Sequence, residues 1–212
     1  MTARLALDAS AGGASVALVR DGGVLGEATL PRHGSAEALA PAVATLLADA
    51  ALPVSALEAI VVGGGPGSFT GLRVAAALAF GLAHGSGVRV EVVPSLALIV
   101  AAAARPPGGY VAVLDALRGE WFAQRVDVGA DGTVTCVGAR TLEARAAVEG
   151  WAVQEGRTLL GPPVDAAALP HARGIVRTAS VPVPEGWEPD YGRLAEAQVQ
   201  WEAAHGRPLP AA

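Results

Sequence analysis

The sequence contains no lysine and no asparagine, and all fifteen of its basic residues are arginines. Without lysine there is no Schiff-base or lysine general-base chemistry, and the lysine of a Walker-type phosphate loop is excluded. A single cysteine, Cys136, excludes an internal disulfide and a thiolate zinc cluster, which fits a reducing, cytoplasmic setting. Cys136 falls within an expected strand and reads as a small core residue rather than a nucleophile. Positive charge is also scarce: 15 basic residues against 20 acidic ones give a net charge of -5. No broad basic footprint exists for independent nucleic-acid binding, although local basic patches stay open. The longest uncharged runs, Ala59 to Leu72 and Val92 to Ala104, fall short of the roughly 20 apolar residues of a membrane helix. The opening Met1-Thr-Ala-Arg4 starts no secretory signal, because Asp8 interrupts after three apolar residues.

What is present is a chain of 212 residues with 52% hydrophobic content, enough for one large or two small domains. The first part of the chain reads as three consecutive strands, Leu5 to Asp8, Ser15 to Arg20 and Val24 to Leu30, the last two joined by the hairpin-turn chemistry of Asp21-Gly22-Gly23. Helical spacing of Leu39, Val43, Leu46 and Leu47 predicts a helix from Ala36 to Ala50 capped by Ser35, with Pro41 kinking it or delaying its first turn. A strand at Glu58 to Val62, a helix from Leu72 to His84, a strand through Val88, Val90 and Val92, and a helix capped by Ser95 follow. After Arg105-Pro-Pro-Gly-Gly109 the pattern restarts: strands at Tyr110 to Leu114, Trp121 to Val128 and Thr133 to Ala139, then a helix capped by Thr141. A last helix is expected from about Gly192 to His205, docked by Tyr191 and Arg193. The repeated order of three strands and a helix predicts two similar α/β lobes, residues 1–105 and 106–190, with 191–212 packing back on the first. The second lobe is reduced and broken by prolines after Gly150.

Between Val62 and Leu72 lies the most distinctive stretch, Gly63-Gly-Gly-Pro-Gly-Ser-Phe-Thr-Gly71. A strand, glycine loop and helix in this order can offer backbone N–H groups to an anion, but neither the Walker nor the G-x-G-x-x-G spacing is completed. The stretch from Gly65 through Pro66, Gly67, Ser68, Phe69, Thr70 and Gly71 to Arg73 resembles the signature of the TsaB (YeaZ) family. Leu5-Ala-Leu-Asp8-Ala-Ser10, Val93-Pro-Ser95-Leu96, Asp115-Ala-Leu-Arg-Gly-Glu120 and Glu188-Pro-Asp-Tyr191-Gly-Arg193 fall where that family has similar segments. The resemblance implies a duplicated actin-like, ribonuclease-H-like fold. It also implies a non-catalytic subunit of the machinery that places threonylcarbamoyl on the adenosine beside the anticodon of tRNAs reading codons that begin with A. The implied partners are a TsaD-type catalytic subunit, a TsaE-type P-loop ATPase and a second copy of the chain, with tRNA met only through the complex.

Actin-like folds hold ATP between their lobes, so Asp8 and Ser10 mark a residual phosphate site at which weak nucleotide binding stays open; the alternative is a hairpin whose Asp8 bonds local backbone. No cofactor is otherwise expected. The related TsaD proteins hold a metal with a His-x-x-x-His pair, where this sequence has His33 and Glu37; without a third ligand nearby, no metal is expected. Two enzymatic alternatives remain beside the partner reading: an actin-fold ATPase or kinase using Asp8, and a metal-dependent peptidase using His33 and Glu37.

A helix covering one face of a sheet should be charged on its other side. The backs of the first two helices carry little charge: Pro41, Ala44, Thr45 and Ala48 on one, and Arg73, Val74, Ala77, Phe80, Gly81 and His84 on the other. A compositional bias toward alanine would give part of this pattern but not Val74 or Phe80. Ala44, Ala48, Arg73, Val74, Ala77, Phe80 and Gly81 are therefore the expected partner contact, where the resemblance also puts the pairing helices.

Overall fold

The computed structural model describes residues 2–193, 201 and 204–206. Strand β1 (Ala3–Asp8) is the axis of a first sheet, and its period-2 alternation sets the layers: Leu5 and Leu7 enter one core, Ala6 the opposite one. β2 (Ala14–Arg20) and β3 (Gly23–Leu30) follow as an antiparallel meander, while β4 (Leu57–Gly63) and β5 (Arg89–Val93) run parallel to β1 on its other side. The β2–β3 turn has Asp21 and Gly22 both left-handed, the conformation a two-residue hairpin with right-handed strand twist favours.

Helices α1 (Ser35–Asp49) and α2 (Phe69–Ser86) cover one face of this sheet with Leu39, Val43, Leu47, Ala75 and Ala79. α1 starts differently from expectation: its N-cap is left-handed Gly34 without a side-chain cap, and Ser35 is the first helical residue. The helix runs through Pro41, which withholds one N–H, and the Thr45 hydroxyl bonds the Pro41 carbonyl at 3.1 Å. On the other face lies α3 (Ser95–Ala102), with seven of its eight residues buried. α3 is apolar all round because it sits between two sheets: Leu98 faces the first, and Leu96, Ile99 and Val100 face the second.

The second sheet is formed by β6 (Gly108–Asp115), β7 (Glu120–Val128), β8 (Val134–Ala144) and β9 (Thr158–Leu160), in the order β8-β7-β6-β9. With β7 antiparallel and β9 parallel to β6, it repeats the order β3-β2-β1-β4 of the first sheet. α4 (Arg145–Gln154) covers its outer face through Val148 and Ala152. Thr141 does not cap this helix. β8 continues to Ala144 because pairing with β7 continues, Thr141 opposite Ala123, and the first helical N–H, that of Arg145, donates to Gly119 O at 3.0 Å.

Beyond the second sheet the chain returns to the first. A 3-10 turn, Ala172–Val176, buries Ala172 and Ile175 against Ala6, Ala17, Val19 and Val61, and β10 (Val181–Pro182) pairs antiparallel with β5. The stretch read from sequence as second lobe therefore packs on the first sheet from about residue 172. Most of the helix expected from Gly192 to His205 lies outside the described residues.

Candidate functional site

β4 ends at Gly63, and the loop that follows is sealed by the rest of the protein. The Gly64 N–H donates to Val93 O at 2.8 Å, Gly65 N–H to Ser95 Oγ at 3.0 Å, and Ser68 N–H to Ser10 O at 2.7 Å. The Ser68 hydroxyl caps α2 by accepting from the Gly71 N–H at 3.3 Å. A Cβ on Gly67 would overlap the Ser10 carbonyl, and one on Gly71 the Ala9 carbonyl, so both positions need glycine for close backbone approach. An anion cradle needs N–H groups directed at the ligand, whereas these four donate inside the protein. The loop works as a clasp joining the end of β1, the β5–α3 turn and Asp190, whose N–H donates to Gly64 O at 2.8 Å.

Asp8, at the end of β1, is only 2% exposed. Its Oδ1 accepts from the Ser10 N–H at 3.0 Å and the Ser10 hydroxyl at 2.8 Å, and its Oδ2 accepts from the Ser95 hydroxyl at 2.6 Å. Burial pushes the carboxyl above its ordinary range, against the lowering effect of the Ser95 and Ser10 hydrogen bonds. Ser95 was expected as a helix cap; instead it bridges Asp8 and the glycine loop, and Pro94 takes the N-cap position.

Between the two sheets lies a cleft of about 1190 Å³, lined by Ser10, Ser68 and Phe69 on one side and the β6–β7 turn on the other. Asp8 is not among its lining residues, and His33 is. His33 and Glu37 also line a neighbouring cavity of about 290 Å³, and among the described residues no group of three His, Cys, Asp or Glu side chains could hold a metal ion. Cys136 is half-buried in β8, and burial alone pushes its thiol above the ordinary value. Tyr191 packs on Phe69 with ring centroids 4.5 Å apart, and Arg193 pairs with Glu120.

The backs of α1 and α2 present small and apolar groups side by side. Ala44 and Ala48 are exposed on α1; Arg73, Ala77, Phe80 and Gly81 are exposed on α2, with Val74 half-buried between them. Phe80 retains 39% of its surface and leans on Trp187 at 6.0 Å between ring centroids, and a Cβ on Gly81 would meet nothing within 4 Å. The one formal charge in this set, Arg73, lies over the Phe69 ring at 4.9 Å. This surface has no titratable pair for catalysis; what it can do is cover apolar area with another chain.

Sequence reasoning missed Ser95 and Asp190 as parts of the clasp. A serine before an apolar run looks like a cap, and Asp190 is distant in sequence from Gly64 and from Arg140, with which it also pairs.

Residues 14–159 match the family model described as TsaD, tRNA N6-adenosine threonylcarbamoyltransferase, so the two-sheet α/β fold belongs to a TsaD-like class. An uncharacterized protein of Mycobacterium tuberculosis is 41% identical over 124 residues, 57% of each chain. The tRNA threonylcarbamoyladenosine biosynthesis protein TsaB of Haemophilus influenzae is 34% identical over 124 residues, 58% of this chain and 52% of that protein. YeaZ from Pseudomonas aeruginosa superposes with a TM-score of 0.68 at 27% identity, covering 100% of both chains. The chain belongs to the TsaB (YeaZ) family. It spans little more than half the length of the curated relatives it matches. No helix among the described residues is long and apolar enough to cross a membrane.

Proposed function

We propose that this chain is a non-catalytic subunit in the formation of N6-threonylcarbamoyladenosine next to the anticodon of tRNAs that read codons beginning with A. It pairs with a TsaD-type catalytic subunit through the backs of α1 and α2 and holds that subunit in a competent state. A TsaE-type P-loop ATPase docks on the pair, tRNA is met only through the assembly, and the free chain pairs with itself through the same helices. The two sheets are read as lobes of a duplicated actin-like fold, and the working compartment as the cytoplasm. The observation that carries the reading is the face of Ala44, Ala48, Ala77, Phe80 and Gly81, exposed around half-buried Val74 and carrying Arg73 as its one charge, which a solitary protein has no need to keep so apolar. The name of the Haemophilus relative supports the pathway. A phosphate- or metal-binding role for Asp8 has less support, since both of its oxygens already accept hydrogen bonds from Ser10 and Ser95.

The test is reconstitution. Coexpressed with the TsaD-type and TsaE-type subunits of the same organism, the chain should copurify with the first, and tRNA should be modified only when all three are present. The chain alone should show no ATP hydrolysis. Full modification without it, or ATP turnover by it that disappears in Asp8→Ala, would contradict the proposal.

A further inference from the structure

A cavity of about 290 Å³ lies apart from the cleft described above and shares no lining residue with it. The glycine clasp divides the two: Gly64, Gly65 and Pro66 line the cavity, while Gly67, Ser68 and Phe69 line the cleft. One wall follows from the register of β7 and β8. Pairing jumps from Ala123 opposite Thr141 to Arg125 opposite Val137, so residues 138–140 bulge opposite Gln124, with Gly138 left-handed at φ 66°. The Gln124 Nε2 donates to Val137 O and Gly138 O, both at 3.1 Å, and to Arg125 O at 3.0 Å. Three carbonyls around the nitrogen fix which end of the amide is which. Gln124 is only 5% exposed and lines the cavity, and no described residue donates to its Oε1. A buried amide oxygen without a donor carries a cost that a ligand can relieve.

The other walls are apolar: Val92, Pro94 and Leu96 from the β5–α3 end, and Val181 and Trp187 from the returning chain. Long-range bonds hold that chain in place, Val183 N–H to Val90 O at 3.2 Å and Asp190 N–H to Gly64 O at 2.8 Å. The Trp187 ring closes over Gly64, where a Cβ would stand 3.5 Å from Trp187 Cζ2. Charge in the lining is spent or negative. Arg140, the one cation among the described lining residues, pairs with both oxygens of Asp190, Nη2 to Oδ1 at 2.6 Å, and Glu188 is the remaining charged residue.

We propose that this cavity binds a small, uncharged aromatic molecule with a single N–H or O–H donor, of the size of an indole or a phenol. The donor meets Gln124 Oε1, and the ring lies among Val92, Leu96 and Trp187, in the offset or tilted contact that aromatic rings favour. A nucleotide does not suit this lining, because its phosphates would face Glu188 with no unpaired cation to meet them. Trp187 also leans on Phe80, so an occupied cavity stands one side chain from the back of α2. The inference goes beyond the partner role and does not rest on it.

Titration calorimetry of the full chain tests it with three probes: indole, benzothiophene, which keeps the shape and lacks the donor, and indole-3-carboxylate, which adds a charge. Indole should bind saturably with a Kd below about 1 mM, and each of the other two about tenfold more weakly or worse. Val92→Phe, which fills the cavity, should abolish indole binding. Val153→Phe, the same exchange at an exposed position of α4, should bind as the parent does. The proposal is overturned if indole does not bind at millimolar concentration, if benzothiophene binds the parent protein as tightly as indole, or if Val92→Phe, folded by its unfolding curve, binds unchanged. Tighter binding of the tripeptide Ala-Trp-Ala than of indole would also overturn it, since the occupant would then be a side chain of another protein rather than a free molecule.

Discussion

Two regions beside the first sheet are built from the same small residues and use them in opposite ways. In the glycine loop the absence of side chains brings backbone against backbone: Gly67 meets the Ser10 carbonyl, Gly71 the Ala9 carbonyl, and the N–H groups of Gly64, Gly65 and Ser68 donate inward. On the backs of α1 and α2, Ala44, Ala48, Ala77 and Gly81 face outward, and a Cβ at Gly81 would meet nothing. Smallness inside a clasp is a steric requirement of the fold, and smallness outside it leaves room for another chain. The most distinctive motif of the sequence thus holds the protein together, while the proposed function rests on a surface with little motif at all.

The sharpest way to break the contrast is to add a side chain to each region. Gly71→Val drives a branched group into the Ala9 carbonyl and should cost about 3 kcal/mol or more, read as a lowered urea midpoint. A stability within experimental error of the parent would mean that the loop is not a clasp.

Asp8→Ala comes next, at about 2 kcal/mol, because it leaves the Ser10 and Ser95 donors without their acceptor. The pH dependence has a definite sign. Since burial raises the folded-state pKa of Asp8, the folded state holds its proton more tightly than the unfolded chain. Its contribution is complete below the ordinary aspartate value and is lost as pH rises through the raised one. In Asp8→Asn that part of the decline should vanish from denaturation curves taken across this window; an unchanged profile would show that the carboxyl does not titrate there.

Gly81→Ala tests the outer region in the opposite direction. The position is helical, open and not left-handed, so alanine should stabilise the protein by about 0.5 to 1 kcal/mol. A loss of stability would show that the helix back is packed against something within the chain. Smallest of all, Ala77→Glu should change the unfolding free energy by no more than about 0.5 kcal/mol, since Ala77 is exposed on α2.

The first sheet was legible from sequence because its signals are local: short apolar runs in β1 and β2, the Asp21-Gly22 turn, and the 3.6-residue spacing of Leu39, Val43 and Leu47. The exposed helix backs were legible for the same reason, since helical periodicity also tells which side is out. What was not legible depends on distant partners. Ser95 and Thr141 carry the residue type of a cap, but one is drawn to Asp8 and the other is held in β8 by pairing with Ala123. The short β9 and β10 have too few residues for a period of their own and exist because β6 and β5 offer free edges. The clasp was read as a loop that could face an anion because composition shows which N–H groups exist but not where they point.

The central claim is that the backs of α1 and α2 bind the TsaD-type subunit. Its most direct test is the affinity of Ala77→Glu and Gly81→Arg for that subunit, measured by titration calorimetry beside the unfolding curves of the same samples. A charge at the centre of an apolar contact must be desolvated without a partner, so association should weaken by at least about a hundredfold, roughly 2.7 kcal/mol, while both variants stay folded. Near-native affinity in both folded variants would contradict the account and place the contact on another face.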